Sequence, residues 1–251
     1  VINFMKLRAT WGKVGNAKIT GRRFAYLATI QNKGSYTFGQ NGDQSFSGLE
    51  IGEEAVDVSW ETAYKWNLGL DINTLSNALS LHADVFYDMR EGIFLARGDL
   101  PWYVGMTNMP LGNLGKVKNK GFEVSAEYKK QFNDEWFLSL MANCSFNRNE
   151  VVDNDVKYAY PWLDVRGQRV GQRYGYIAEK LFESDEEVAA SAYQSGDTRA
   201  GDIKYKDLNG DGKIDQYDKA PIGWGSVPEI MYGFGFSLAY KGWSLSAMFQ
   251  G

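Results

Sequence analysis

With 251 residues the chain is long enough to bury a sizeable core in one large β domain or two smaller ones. Aromatics at 15%, 28 glycines and only 5 prolines suit many strands joined by turns. A net charge of -4 without a basic stripe excludes nucleic acid as a partner, and no run of eighteen apolar residues is available to cross a bilayer as a helix.

Strand pattern begins at once, with Met5, Leu7, Ala9 and Trp11 alternating against Phe4, Lys6, Arg8 and Thr10. GNAKITGRR breaks it, FAYLATIQ reads as a weaker strand, and the Gly- and Ser-rich stretch over 33–52 reads as a long exposed loop. The clearest strand follows. Trp60, Thr62, Tyr64, Trp66, Leu68, Leu70 and Ile72 share one face, and Glu61, Lys65, Asn67 and Asp71 the other. A short turn at Ser76 and Asn77 returns the chain, and Leu79, Leu81, Ala83, Val85, Tyr87 and Met89 then oppose Ser80, His82, Asp84, Asp88 and Arg90. The pattern lapses over 92–115, which reads as a long loop. It resumes with Phe122, Val124, Ala126 and Tyr128, passes the short turn QFNDE, and continues with Trp136, Leu138, Leu140, Ala142, Cys144 and Phe146.

The longest break covers about 150–230 and has structure of its own. Ser184 with Glu187 three residues on forms a capping box, so ESDEEVAASAYQ reads as a short exposed helix. Two further strands close the chain, Tyr232 to Tyr240 and Trp243 to Phe249 in alternation, with Lys241 and Gly242 between them.

Within the long break, DLNGDGKIDQYD carries the strongest local chemistry. Asp207, Asn209 and Asp211 stand at positions one, three and five of a twelve-residue loop, and Gly212 at six permits the sharp turn. Lys213 offers its backbone carbonyl at seven, Asp215 falls at nine and Asp218 at twelve, where an EF-hand carries Glu. Hard oxygens at this spacing suit one structural Ca²⁺. The plain alternative is a solvated turn, in which Asp, Asn and Gly tolerate left-handed backbone and bond locally. An EF-hand proper is not expected, because the flanks alternate as strands do.

Connections alternate between very short turns and very long loops, and the paired strands run ten residues or more. That combination predicts an all-β chain forming part of a large antiparallel transmembrane β-barrel with long extracellular loops. Aromatics on the apolar faces fall beside the short turns (Tyr128, Trp136, Tyr240, Trp243) and toward the long loops (Trp11, Trp60, Tyr87), where two membrane interfaces would lie. The apolar faces would meet outer-membrane lipid and the charged faces would line the lumen. The rival is a secreted, soluble, calcium-stapled β-sandwich that binds glycans, with these rings in its core.

LRATWGKVGN, WETAYKWNLGLDI, GKVKNKGFEVSAEYK, GQRYGYIAEKLFESDEEV and GDIKYKDLNGDGKIDQYDKAPIG, followed by PEIMYGFGFSLAYKGWSLSAMFQG, stand in an order that resembles the SusC/RagA family of TonB-linked outer-membrane transporters of Gram-negative bacteria. The resemblance implies a 22-stranded barrel, of which residues 1–251 supply about seven strands, without the plug domain or the closing strands. It also implies coupling to the TonB complex, a SusD-like surface lipoprotein partner, and import of oligosaccharides or peptides without covalent chemistry.

No catalytic constellation competes with that expectation. Glu53 with Glu54, and Asp153 with Asp155, read as solvated loop carboxylates, lone His82 has no triad, and Cys144 lies on an apolar strand face where it packs. The loop aromatics Trp102, Tyr103, Trp162 and Trp224 are candidates for substrate contact by stacking on sugar rings. Packing against a neighbouring surface is the blander role for the same rings.

Overall fold

The computed structural model describes residues 2–17, 27, 29–53, 58–98, 100, 101, 103 and 109–251. Seven strands form one antiparallel sheet: β1 (Ile2–Asn16), β4 (Glu61–Thr74), β5 (Leu79–Ala96), β6 (Leu111–Gln131), β7 (Trp136–Asp153), β12 (Ile230–Tyr240) and β13 (Trp243–Gln250), adjacent in that order. The sheet is open, with β1 and β13 as its edges. Between these strands lie the hairpin of β2 (Thr29–Phe38) and β3 (Gln44–Glu53), and the short pairs β8 (Tyr174–Tyr176) with β11 (Lys219–Pro221) and β9 (Ala178–Leu181) with β10 (Ile203–Tyr205). The helix α1 (Asp185–Ala190) and two 3-10 turns, Pro161–Leu163 and Gln216–Asp218, also lie in the 154–229 segment.

Register explains why the sheet has two unlike faces. Trp11 lies opposite Trp66, which lies opposite Tyr87, and Leu7, Leu70, Ala83, Val124 and Cys144 follow one another across five strands. Because the side-chain period is two, alternation within each strand and matched register between strands fuse the apolar positions into one continuous band. That band is bare. Trp11 is 62% exposed and Trp243 82%, while the only buried hydrophobic residues among those described, Phe182 and Ala220, lie in the 154–229 segment. No second layer packs on the band among the described residues.

Short turns close one end of the sheet. Leu75, Ser76 and Asn77 adopt positive φ, Asn133 Oδ1 accepts from the N–H groups of Glu135 and Trp136, and Lys241 and Gly242 form a two-residue turn with φ of 46° and 88°. Paired aromatic side chains mark both levels of the band: Trp136 against Tyr240 at 4.3 Å beside the turns, and Trp66 against Tyr87 at 5.7 Å toward the loops. From Trp66 to Thr74 the strand advances about 27 Å at ~3.4 Å per residue, close to the ~25 Å apolar band of a membrane barrel.

Two expected loops prove to be strands. The Gly- and Ser-rich stretch over 33–52 is mostly β2 and β3, paired with Tyr36 opposite Phe46. Tyr36 meets Phe38 along β2 at 4.9 Å, and Phe38 meets Phe46 across the strands at 5.8 Å, packing that composition does not reveal. The FAYLATIQ strand lies partly outside the described residues, though its Thr29, Ile30 and Gln31 begin β2. The stretch over 92–115 is also largely strand at its ends, because β5 runs on to Ala96 and β6 starts at Leu111. Register shifts around Ile93, with Gly92 at φ 69°, mark a bulge that breaks the period of two and hides the continuing strand. The Asn113 amide fixes this corner, donating to the Ser59 and Gly92 carbonyls and accepting from Ser59 N–H.

Candidate functional site

On the face opposite the apolar band, polar residues that alternation had placed together are joined by ion pairs. Arg8 donates from Nε and Nη2 to both Asp71 oxygens at 2.9 and 3.0 Å, and from Nη2 to Asp84 Oδ2 at 2.9 Å. His82 Nδ1 lies 3.0 Å from Asp71 Oδ1. Gly69 stands between the two anchors; a Cβ there would fall 2.6 Å from the guanidinium carbon and 2.5 Å from Asp84 Oδ1. Farther toward the loops, Lys65 faces Asp88 at 3.7 Å and Arg90 faces Glu61 at 3.1 Å. Charges arranged in this way suit a wet interior wall, where exposure leaves no ion buried without a partner.

The 154–229 segment is tied to the sheet at both of its ends. Gly167 donates to the Val151 carbonyl, Val151 to that of Gln168, and Val170 N–H to Asn149 Oδ1 at 2.8 Å. At the return, Glu229 receives Arg148 in a two-point pair at 2.7 and 2.9 Å and also accepts from Arg169 Nε. These two guanidinium groups hold the Glu229 carboxyl down at about 2. Helix α1 is shorter than the 183–194 expectation, but Ser184 caps it as its spacing implies, accepting from Glu187 N–H at 3.2 Å. The Glu187 carboxylate bonds the Glu183 N–H and pairs with Lys204 and Lys180, which holds it at about 2 as well.

The twelve-residue loop over 207–218 is closed by its own side chains. Asp207 accepts from Gly210 and Gly212 N–H at 2.7 and 2.8 Å, and both glycines take positive φ, as the tight turn requires. Asn209 and Asp211 bond each other, and Asp211 accepts from Lys213 N–H. Asp215 and Asp218 have turned to another task. Asp215 caps a 3-10 turn, Gln216–Asp218, and the fully buried Asp218 accepts from Leu208, Asn209 and Asp215 N–H. With Asp215 and Asp218 so engaged, Asp207, Asn209, Asp211 and the Lys213 carbonyl remain as a partial Ca²⁺ ligand set, and the three side chains already accept hydrogen bonds within the loop. Among the described residues no group of three His, Cys, Asp or Glu side chains is disposed to hold a metal.

The four loop aromatics separate. Trp102 lies outside the described residues, and Tyr103 is 74% exposed. Trp162 is a packing element: it stacks on Tyr160 at 4.7 Å and donates Nε1–H to the Tyr217 carbonyl at 2.6 Å, bracing the 207–218 loop. Trp224 carries the Arg169 guanidinium over its ring at 4.4 Å and is otherwise open. Arg8 stands in the sequence only as one polar position of an alternating strand, and Arg148, Arg169 and Glu229 carry no local signal, since the partners of all four lie 60 to 81 residues away.

Residues 1–250 match the family model described as TonB dependent receptor-like, beta-barrel. The chain is 29% identical to TonB-dependent receptor P3 of Formosa agariphila over 263 residues, covering 99% of this chain and 25% of that protein. It is 24% identical to TonB-dependent receptor SusC of Bacteroides thetaiotaomicron, covering 98% of this chain and 24% of that protein. It therefore spans about a quarter of the relatives it matches. A solved structure of the RagAB peptide transporter superposes with a TM-score of 0.67 at 20% identity over 99% of this chain and 26% of that one, and the RagAB peptide importer in its open-open state with 0.68 at 19% over the same shares. At such identity these structures speak for the fold alone. An open antiparallel sheet with one bare apolar face, matched along its whole length by that model, belongs to the TonB-dependent receptor β-barrel family, whose members lie in the outer membrane of Gram-negative bacteria.

Proposed function

We propose that the protein containing this chain imports oligosaccharides or peptides across the outer membrane, energised through TonB and assisted by a SusD-like surface lipoprotein. The observation that carries this reading is the pairing of a continuous lipid-type apolar band with an opposite face of charged and amide side chains. One face suits a bilayer and the other a wet passage. The names of the relatives, receptors and a peptide importer, support transport without covalent chemistry on the cargo. The 154–229 segment, clamped to the sheet yet carrying Trp224 and Val227 exposed, is the surface assigned to the lipoprotein. The test is uptake of labelled oligosaccharides and peptides by cells with and without the parent gene, in the presence and absence of TonB. Equal uptake in all four backgrounds would sink the reading.

For the loop over 207–218 the proposal is one structural Ca²⁺ held by Asp207, Asn209, Asp211 and the Lys213 carbonyl, which would stiffen an already closed turn. The Asp207 bond to Gly212 N–H, from the first loop position to the sixth, supports it by giving the loop the required bend. A calcium titration that leaves the loop's protease sensitivity unchanged would count against it.

A further inference from the structure

Where the polar face of the sheet meets the base of the 154–229 segment, there is a cavity of about 560 Å³. Its floor is strand: Val117 and Val151 are a cross-strand pair, and Ile93 and Leu95 follow the β5 bulge. Its roof is the returning loop, with Val165 and Val170 held down by the Gly167, Gln168 and Val170 bonds to β7. The volume lies within the range of small-ligand sites, about 300–1,000 Å³.

The lining chooses among cargo chemistries. Seven aliphatic side chains contribute and no aromatic ring does, so a sugar finds no stacking platform there. The cations on the wall each face a carboxylate, Lys65 with Asp88, Arg90 with Glu61 and Lys116 with Glu91, and Asp153 accepts from Asp155 N–H, so no cation is left to claim an acidic side chain. Amides remain. Asn119 Oδ1 and Asn154 Oδ1 are buried without a hydrogen-bond partner, and both residues line the cavity. An unmet buried acceptor is costly, and turning either amide toward a donor that enters the cavity would relieve that cost. An extended peptide brings backbone N–H donors at regular spacing, together with side chains for the aliphatic floor.

Resting on the import reading above, we infer that this cavity is a peptide subsite that takes an uncharged aliphatic side chain, with Asn119 and Asn154 receiving backbone N–H groups.

The experiment uses the full parent transporter, purified as a heat-shifting barrel, and three probes: an end-capped hexapeptide of alternating Leu and Gly, its Asp and Gly counterpart, and a linear glucan hexaose. The Leu peptide is expected to bind about ten-fold tighter than the Asp peptide, as burial of an aliphatic side chain implies. Val151→Trp fills the floor and Val165→Trp fills the roof, and each is expected to erase that preference. Val165 lies on the loop, so its variant reads the cavity even where a change in β7 impairs assembly. Leu and Asp peptides bound within about two-fold of each other, no binding of the Leu peptide, or a preference that survives Val165→Trp would overturn the subsite. Glucan binding that both variants abolish would overturn it while leaving TonB-driven import standing, whereas loss of import itself is read in the uptake test of the parent gene.

Discussion

Arg8 on β1 and Asp84 on β5 meet across the strand that separates them, with Arg8 Nη2 2.9 Å from Asp84 Oδ2. The reach passes over Gly69, which lies opposite both residues in register and puts no side chain in the way. A single missing Cβ thus lets one guanidinium join three strands through Asp71 and Asp84.

Gly69→Val is therefore expected to expel Arg8 from both carboxylates. Overpacking of this kind costs about 1–3 kcal/mol. The temperature at which the parent barrel loses its folded gel mobility should fall, and Gly69→Ala should fall part of the way. A valine variant with unchanged heat resistance would show that the three-strand link contributes nothing to the wall.

The two faces predict opposite responses to a charge. Leu70 lies in the apolar band between Leu7 and Ala83, and Leu70→Arg should cost about 2–4 kcal/mol near the bilayer midplane. Ser125→Arg, on the polar face opposite His82, should assemble almost as wild type. The fraction of protein reaching the heat-shifting form measures both.

The Glu229 clamp predicts an acid limit for the 154–229 segment. Arg148 and Arg169 hold the folded carboxyl at about 2, below the ~4.3 of a free glutamate. A carboxyl depressed on folding contributes its ordering in full above the free value and loses it as pH falls through the folded one. Protease resistance of the segment should hold from neutral pH to about 4 and decline toward 2. Glu229→Gln should raise cleavage at neutral pH and flatten the profile.

Asp218 and Asp211 separate the two accounts of the acidic loop. Asp218 is fully buried on backbone N–H groups, so Asp218→Ala leaves donors unsatisfied at about 1–3 kcal/mol each and should open the loop with or without calcium. Asp211→Ala should instead abolish only a calcium-dependent gain in protease resistance. If calcium produces no gain in the wild type, the loop is stapled by hydrogen bonds alone.

Alternation, turn chemistry and capping were legible in the chain because each is local. A period of two in Leu68, Leu70 and Ile72, positive-φ turns at Ser76 and Asn77, and Ser184 three residues before Glu187 carry their meaning within a few positions. These residues by themselves determined seven long strands, one apolar face and the tight ends of the sheet. Tertiary structure decided what depends on partners distant in sequence. The β2 and β3 hairpin rests on Tyr36 meeting Phe46, and β5 survives its bulge at Gly92 because Asn113 and the β6 ladder hold it. Arg8 finds Asp84, Glu229 finds Arg148, and the cavity beside Asn119 forms only when a loop lies back over the strands. Register between strands fixes those meetings, and register is a property of the assembled sheet rather than of any one strand.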